Sequence, residues 1–289
     1  MDTTKTKNPP TKSSGSARLL TALIVLPFLI ASIIFPWLKW LFVALAGGAM
    51  GIGLAEFYIL CKRLQIRPDT GAGYLGGVAI FVVSLFFTDL AFNLLLIQLI
   101  LIVLTAGTLI AAALRGAAFD KMIASTGATI LGVLYVSFLG SHLLSLRLGF
   151  KPELSAHLLS FFFLVLMGAD AGAFYIGRAL GKHKLAPKIS PGKTWEGVIG
   201  GILAALGMAA LSHFWFFHEL PLKLALPLSV VMMVVGLLGD LTESALKRGA
   251  GAKDAANILP GHGGILDRLD SLLFNAPLIY YFARFYFSS

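Results

Sequence analysis

Long apolar runs separated by short polar loops make up most of this chain. Windows of about 20 apolar residues, the length of a helix that crosses a bilayer, predict nine membrane spans. Their limits are 19–34, 37–60, 73–87, 90–114, 123–146, 158–176, 198–217, 224–246 and 265–287. The third span is short and rich in glycine. The pattern therefore predicts an all-α fold, a polytopic transmembrane helical bundle with about nine spans.

Composition and charge support this class of protein. Of the 289 residues, 57% are hydrophobic and 13% charged, with a mean hydropathy of +0.86, whereas soluble domains carry about 25% charged residues. The single cysteine, Cys61, cannot form an intrachain disulfide. A net charge of +9 would suggest nucleic-acid binding in a soluble protein. In a membrane protein it indicates cytoplasmic loops, and with a cytoplasmic N-terminus most Lys and Arg residues fall on the cytoplasmic side.

Acidic residues inside spans, or at their ends, divide the chain into regions. A carboxylate in hydrocarbon costs roughly 2.5 to 3.5 kcal/mol, so such groups usually have partners or a function. Apart from Glu56, they lie in the C-terminal half, at Asp170, Asp240, Glu243, Asp267 and Asp270. We therefore predict a disordered cytoplasmic tail at 1–18, N-terminal transmembrane helices at 19–152, and a C-terminal catalytic transmembrane region at 153–289. A signal peptide is the alternative for the first span, but no small-residue cleavage site follows it.

The end of the eighth predicted span places polar residues on one helix face. Asp240, Glu243, Ser244 and Lys247 are spaced i, i+3, i+4 and i+7. This face could bind a cation through its carboxylates and a phosphate through Lys247. The alternative is a helix end that turns polar as it leaves the membrane, with a Glu243–Lys247 pair. For Lys247 and Arg248 the two interpretations remain open.

A glycine-rich loop at 249–264 leads into the ninth predicted span. Its backbone N–H groups and the following helix start favour an anion. The first turn of that helix nevertheless carries Asp267 and Asp270. Together with Asp240 they would repel one another unless a divalent cation lay between them, and oxygen ligands suit magnesium. Helix capping is the alternative for these two aspartates. His262 lacks a second His or Cys at zinc-ligand spacing, so we expect it to donate to a phosphate or to pack in the loop.

A third group of polar residues spans the sixth predicted helix and the loop after it. The sequence Gly192-Lys193-Thr194 suggests a P-loop, but Pro187 stands where the first glycine is needed and we expect no preceding strand. The loop is basic enough to hold a triphosphate. A positive-inside loop is the alternative explanation of any single cation. The cations are Arg178, Lys182, Lys184, Lys188 and Lys193.

Taken together, these motifs resemble the phosphatidate cytidylyltransferase family, the CDP-diacylglycerol synthases. The family signature runs from Ser244 through Lys247-Arg248, Lys253-Asp254 and a Pro260-Gly261-His262-Gly263-Gly264 turn to Asp267-Arg268-Leu269-Asp270. The upstream segment 190–197, Ser-Pro-Gly-Lys-Thr-Trp-Glu-Gly, also resembles the family. By motif the resemblance covers about 170–270, and the N-terminal half matches only in hydropathy.

The resemblance implies that CTP and phosphatidic acid react to give CDP-diacylglycerol and pyrophosphate in phospholipid biosynthesis. The lipid phosphate would attack the α-phosphorus in line, so that catalysis is positioning plus cationic stabilisation. It also implies Mg²⁺ held by Asp240 and Asp267 with Asp270 close by, and a monovalent cation such as K⁺ beside it. Ser244 and His262 would orient the phosphates.

The resemblance assigns the remaining site residues by position. The predicted catalytic residues are Asp240, Ser244, Lys247, Arg248, Lys253, Asp254, His262, Asp267, Arg268 and Asp270. The predicted substrate-binding residues are Asp170, Arg178, Lys182, Ser190, Lys193, Thr194, Glu196, Gly263 and Gly264.

Two other functions are compatible with parts of this pattern. A CTP-dependent lipid kinase would keep similar motifs but transfer the γ-phosphate to a lipid alcohol. A transporter would also place charges in its spans, but its interrupted helices would recur in both halves. We expect the substrates to be CTP and phosphatidic acid, with membrane lipids and a second copy of the chain, but no nucleic acid, as partners. We expect the protein in a bacterial inner membrane, with its active site facing the cytoplasm.

Overall fold

The computed structural model describes residues 26–115, 119–252 and 264–287. Helices account for most of these residues. The N-terminal half contains α1 (26–34), a 3₁₀ turn (Pro36–Leu38), α2 (Lys39–Arg63), α3 (Thr70–Phe86), α4 (Leu90–Leu114), α5 (Phe119–Gly132), a π-helical segment (Val133–Phe138) and α6 (Leu139–Leu148). The C-terminal half contains α7 (Pro152–Leu180), β1 (Lys184–Ala186), β2 (Ser190–Thr194), α8 (Trp195–Trp215), α9 (Leu222–Gly249) and α10 (Leu266–Phe287).

Long apolar helices confirm the predicted all-α membrane fold. Within the described chain, six are long and apolar enough to cross a bilayer, at Pro36–Arg63, Leu90–Leu114, Phe119–Leu148, Pro152–Leu180, Trp195–Trp215 and Leu222–Gly249. The predicted third span corresponds to α3, which is apolar but shorter. The predicted ninth span corresponds to α10, whose first turns carry charged residues. The predicted disordered tail lies outside the described residues.

A short hairpin replaces the loop expected after the sixth predicted span. Strands β1 and β2 pair antiparallel, with Lys184 opposite Thr194 and Ala186 opposite Ser190. Thr194 then caps the N-terminus of α8, where its hydroxyl accepts a hydrogen bond from the Gly197 N–H at 3.1 Å. The expectation that no strand precedes Gly192-Lys193-Thr194 was therefore wrong. Pro187 still departs from the P-loop pattern.

Glycines bring α7 and α8 into the most extensive helix contact of the described chain. A Cβ atom at Gly172 would lie 2.6 Å from the carbonyl oxygen of Gly200, and one at Gly197 would lie 2.9 Å from that of Ala173. Small residues allow such approach between membrane helices, where packing rather than the hydrophobic effect drives association. The C-terminal end of α7 and the start of α8 are thus held together beneath the hairpin.

Helix α10 joins the two halves of the molecule. It packs against α9 and α7 in the C-terminal half and against α2 and α6 in the N-terminal half. It approaches α9 closely at Gly239, where a Cβ atom would lie 2.6 Å from the carbonyl oxygen of Asp270. Leu266 and Leu273 of α10 share a buried apolar cluster with Leu54 of α2. The position of the charged first turns of α10 is therefore set from both halves.

Candidate active site

A cavity of about 630 Å³ lies between α7, the hairpin, α8 and α9. Ligand cavities are commonly about 300 to 1,000 Å³. Two carboxylates line it, those of Asp170 and Asp240, together with the cationic side chains of Arg178, Lys184 and Lys193. The rest of the wall is largely glycine and apolar side chains. Both signs of charge therefore face one space, an arrangement that suits a polyphosphate accompanied by a cation.

An ion pair joins the hairpin to α9 across this cavity. Lys193 Nζ of β2 lies 2.6 Å from Asp240 Oδ2, with side-chain exposures of 20% and 40%. The Ser244 hydroxyl, one turn further along α9, donates to Asp240 Oδ1 at 3.3 Å. The predicted ligand Asp240 and the predicted phosphate contact Lys193 are thus direct neighbours.

A second, more deeply buried charge group connects α9 to α10. The Lys247 ammonium forms ion pairs with Glu243, on the same helix, and with Asp267 Oδ1, at 2.6 Å. The Glu243 side chain is fully buried, and those of Lys247 and Asp267 are 13% and 11% exposed. Asp267 Oδ2 also accepts from the Gly264 N–H at 2.9 Å. Asp267 therefore combines the capping role considered as an alternative with an ion pair that the sequence alone did not predict.

Asp270 lies on the same side of α10, facing the end of α9. Its carboxylate accepts from the Ser271 N–H at 2.6 Å and lies within electrostatic range of Asp240 and Asp170. Tyr135, in the π-helical segment, also lies within electrostatic range of Asp240 and Asp270. Its side chain is 6% exposed, and its hydroxyl has no hydrogen-bond partner among the residues that the structure describes. A single tyrosine in an apolar run gave no sequence signal of this proximity.

Only some of the other predicted site residues line the cavity. Arg178, Ser190, Lys193 and Thr194 line the cavity. Arg248 donates to the Ile189 carbonyl at 3.2 Å and so fastens the hairpin. Lys182 and Arg268 are solvent-exposed, and Glu196 lies outside the cavity lining, where it binds the His183 ring at 2.6 Å. Four predicted residues, Lys253, Asp254, His262 and Gly263, lie outside the described residues.

Glu56 of α2 contacts the start of α10, and the sequence did not predict this contact. Its carboxylate is fully buried and accepts hydrogen bonds from the N–H groups of Ile265, at 3.0 Å, and Leu266, at 2.7 Å. These amides form the start of α10. The sequence does show an acidic residue within an apolar run. It does not indicate which residue, more than 200 positions away, would be its partner.

The carboxylates provide donors of the kind that magnesium binds. Among positions 26–115, 119–252 and 264–287, no three acidic, His or Cys side chains converge as a ready-made metal site. Magnesium, however, commonly takes one or two carboxylates together with waters and substrate phosphates. Asp240 and Asp267 each direct an oxygen at an ammonium group 2.6 Å away, so both already face a positive charge. Asp240, Asp267 and Asp270 are thus hard oxygen donors, the type of ligand that this ion prefers.

Comparison with known proteins agrees with these features. The model of the cytidylyltransferase family matches residues 16–286. A phosphatidate cytidylyltransferase of Haemophilus influenzae is 48% identical over 144 residues, 47% of this chain and 48% of the relative. That of Bacillus subtilis is 49% identical over 118 residues, 41% of this chain and 44% of the relative. That of Synechocystis is 39% identical over 187 residues, 55% of this chain and 62% of the relative. The chain thus spans about half the length of the first curated relatives it matches. From its match to the family model, the chain belongs to the cytidylyltransferase family.

Proposed function

We propose that this protein is a phosphatidate cytidylyltransferase, which makes CDP-diacylglycerol and pyrophosphate from CTP and phosphatidic acid. The observation that carries the proposal is the cavity in which Arg178, Lys184 and Lys193 face Asp170 and Asp240, in a chain of the cytidylyltransferase family. The curated relatives that carry the name phosphatidate cytidylyltransferase support the choice of lipid substrate.

In this reaction an oxygen of the lipid phosphate forms a bond to the α-phosphorus of CTP. The bond from the α-phosphorus to the bridging oxygen breaks, and the electron pair leaves with pyrophosphate. The nucleophile is already anionic near neutral pH, so no general base is required. What remains for the protein is to hold two anionic substrates together and to stabilise charge on the leaving group. Lys193, Arg178 and Lys184 line the cavity, and we assign this task to them.

Magnesium would be held by Asp240, Asp267 and Asp270 and would neutralise charge on the CTP phosphates. The chain itself orients two of these ligands, Asp240 through the Ser244 hydroxyl and Asp267 through the Gly264 N–H. Asp170 adds further negative charge close to Asp240, which suits a second, monovalent cation such as K⁺.

Two features near the cavity support a substrate that comes from the membrane. Phe174 and Trp195, at the cavity end of α7 and α8, are 58% and 56% exposed, and aromatic side chains favour the membrane–water interface. The basic hairpin at the same end favours the cytoplasmic side. We therefore propose that phosphatidic acid reaches the cavity from the cytoplasmic leaflet of the inner membrane. By its family resemblance we also propose that the enzyme works as a homodimer.

The direct test is a pyrophosphate-release assay with purified protein, phosphatidic acid, Mg²⁺ and each of the four nucleoside triphosphates in turn. The proposal requires pyrophosphate release that depends on both CTP and phosphatidic acid, together with CDP-diacylglycerol as the lipid product. Release of CDP with phosphorylation of a lipid alcohol would instead establish a lipid kinase.

A pair of lysine variants tests whether the cavity is the site of this reaction. Lys193 lines the cavity, whereas Lys188 lies in the same hairpin, exposed and outside the lining. A contact to charge developing in the transition state can be worth about 10² to 10³ in rate. We expect Lys193→Ala to lose about a hundredfold in kcat/KM for CTP, while Lys188→Ala stays within a few-fold of wild type. Equal effects of the two substitutions would exclude the cavity as the nucleotide site.

A further inference from the structure

The start of α10 depends on a side chain from the other half of the molecule. A helix leaves its first N–H groups without partners inside the helix. In many helices a Ser, Thr, Asp or Asn at the preceding position accepts one of them, but here that position is Ile265, whose side chain has no acceptor. The two carboxylate oxygens of Glu56 accept from Ile265 and Leu266 instead, at 3.0 and 2.7 Å.

We infer that Glu56 is a positioning residue that fixes Asp267 for catalysis through the backbone of α10, an inference that rests on the proposed function. The residue next to the Leu266 amide is Asp267, whose oxygens bind Lys247 Nζ and the Gly264 N–H. One turn before Glu56, a Cβ atom at Gly53 would lie 3.4 Å from Leu269 Cδ1, so α2 also packs directly on the first turns of α10.

A carboxylate suits the contact between Glu56 and the first N–H groups of α10. Glu56 is fully buried, and a buried anion is tolerated when charge-assisted hydrogen bonds compensate its desolvation. The N-terminus of a helix supplies such donors together with the positive end of its dipole. Without Glu56, the Ile265 and Leu266 amides would compete with Lys247 for the Asp267 carboxylate. Glu56 thereby keeps Asp267 turned towards α9.

Asp89, an exposed carboxylate that caps another helix, provides a control for the loss of a carboxylate cap. It caps α4 by accepting from the Phe92 N–H at 2.9 Å, and α4 carries none of the proposed site residues. Asp89→Ala therefore removes a carboxylate cap from a helix start of the N-terminal half without removing a hydrogen bond to the first turn of α10. We would compare it with Glu56→Ala and with Glu56→Gln, which retains one carbonyl acceptor. Each protein would be purified in detergent, and its melting temperature, kcat, KM for CTP and amide hydrogen exchange would be measured.

For Glu56→Ala we expect the Ile265 and Leu266 amides to exchange about ten- to a hundredfold faster, as for a lost hydrogen bond to a charged acceptor. A displacement of about 1 Å at a reacting group can cost about a hundredfold in rate. We therefore expect kcat to fall by about that factor while KM for CTP changes little. Glu56→Gln should lie between wild type and Glu56→Ala in both measurements. Asp89→Ala should speed exchange in the first turn of α4 and leave kcat unchanged.

Several outcomes would overturn the inference. One is faster exchange at Ile265 and Leu266 with a kcat close to that of wild type. Another is an equal loss of kcat in Asp89→Ala, which would show that losing a carboxylate cap on an unrelated helix has the same effect. If Glu56→Ala does not fold, Glu56→Gln decides by the same criteria with smaller changes. A wild-type protein that forms no CDP-diacylglycerol would refute the proposed function, whereas unchanged exchange in the Glu56 variants would refute the anchoring of α10.

Discussion

Replacing Lys247 by Met should destabilise the protein far more than replacing Lys193 by Met. Both lysines lie 2.6 Å from an aspartate oxygen, but their surroundings differ. Lys247 is 13% exposed and also pairs with the fully buried Glu243, whereas the partner of Lys193, Asp240, is 40% exposed. Removing one member of a buried pair leaves an uncompensated charge and costs about 3 to 5 kcal/mol. An ion pair in contact with solvent contributes about 0 to 1 kcal/mol.

Thermal unfolding of the purified proteins in detergent would measure this difference. A loss of 1 kcal/mol lowers Tm by about 2 to 4 °C in chains of comparable size. We therefore expect a fall of about 6 to 20 °C for Lys247→Met and of less than about 4 °C for Lys193→Met. Adding Glu243→Gln to Lys247→Met removes one of the two carboxylates that lost the ammonium group and should restore part of the loss, since residues in one ion-pair network couple by about 0.5 to 3 kcal/mol. Similar falls for the two single variants, or no recovery in the double variant, would refute the reasoning.

Three further predictions concern the metal, the helix packing and the topology. Asp240→Asn should lower turnover by about a hundredfold or more and raise the Mg²⁺ concentration needed for half-maximal activity; an unchanged Mg²⁺ dependence would remove Asp240 from the ligand set. Gly172→Ala should destabilise the protein by about 1 to 3 kcal/mol through overpacking, because its Cβ would lie 2.6 Å from the Gly200 carbonyl oxygen, and a lower Tm would show it. Gly207→Ala, whose Cβ would have nothing within 4 Å, should leave Tm unchanged. Cysteine labelling from outside intact cells should reach Ser289→Cys and miss Lys193→Cys, and the reverse pattern would invert the proposed orientation.

The helices and part of the site were predictable because their signals are local. Apolar runs of bilayer length predict the membrane helices, and the i, i+4 spacing of Glu243 and Lys247 predicts their contact as soon as the segment is helical. The charge contacts between elements were not predictable in this way. Lys193 of β2 meets Asp240 of α9 across 47 positions of sequence, and Glu56 meets Leu266 across 210. Such pairs depend on the tertiary arrangement, which no spacing in the chain determines.

The hairpin and the π-helical segment show a second limit of sequence reasoning. Strand β1 has three residues, too few for an alternating pattern to emerge, and its pairing is completed by the Trp195 N–H, which donates to the His183 carbonyl at 2.9 Å. The π-helical segment at Val133–Phe138 has an apolar sequence like the helices around it. Tyr135, which lies within electrostatic range of Asp240 and Asp270, belongs to this segment, and nothing in its residue types distinguishes the π-helix from the α-helices on either side.

The fastening of the hairpin has an entropic consequence. Three contacts hold it to the helices below: Lys193 with Asp240, Arg248 with the Ile189 carbonyl, and His183 with Glu196. A lysine side chain gives up about 1.5 to 2 kcal/mol of rotamer freedom when it is fixed in one place. Lys193 loses part of that freedom when the chain folds, before any ligand binds. Ligand binding then only requires its ammonium group to exchange one oxygen anion for another, so part of the side-chain ordering that opposes association is already complete in the folded protein.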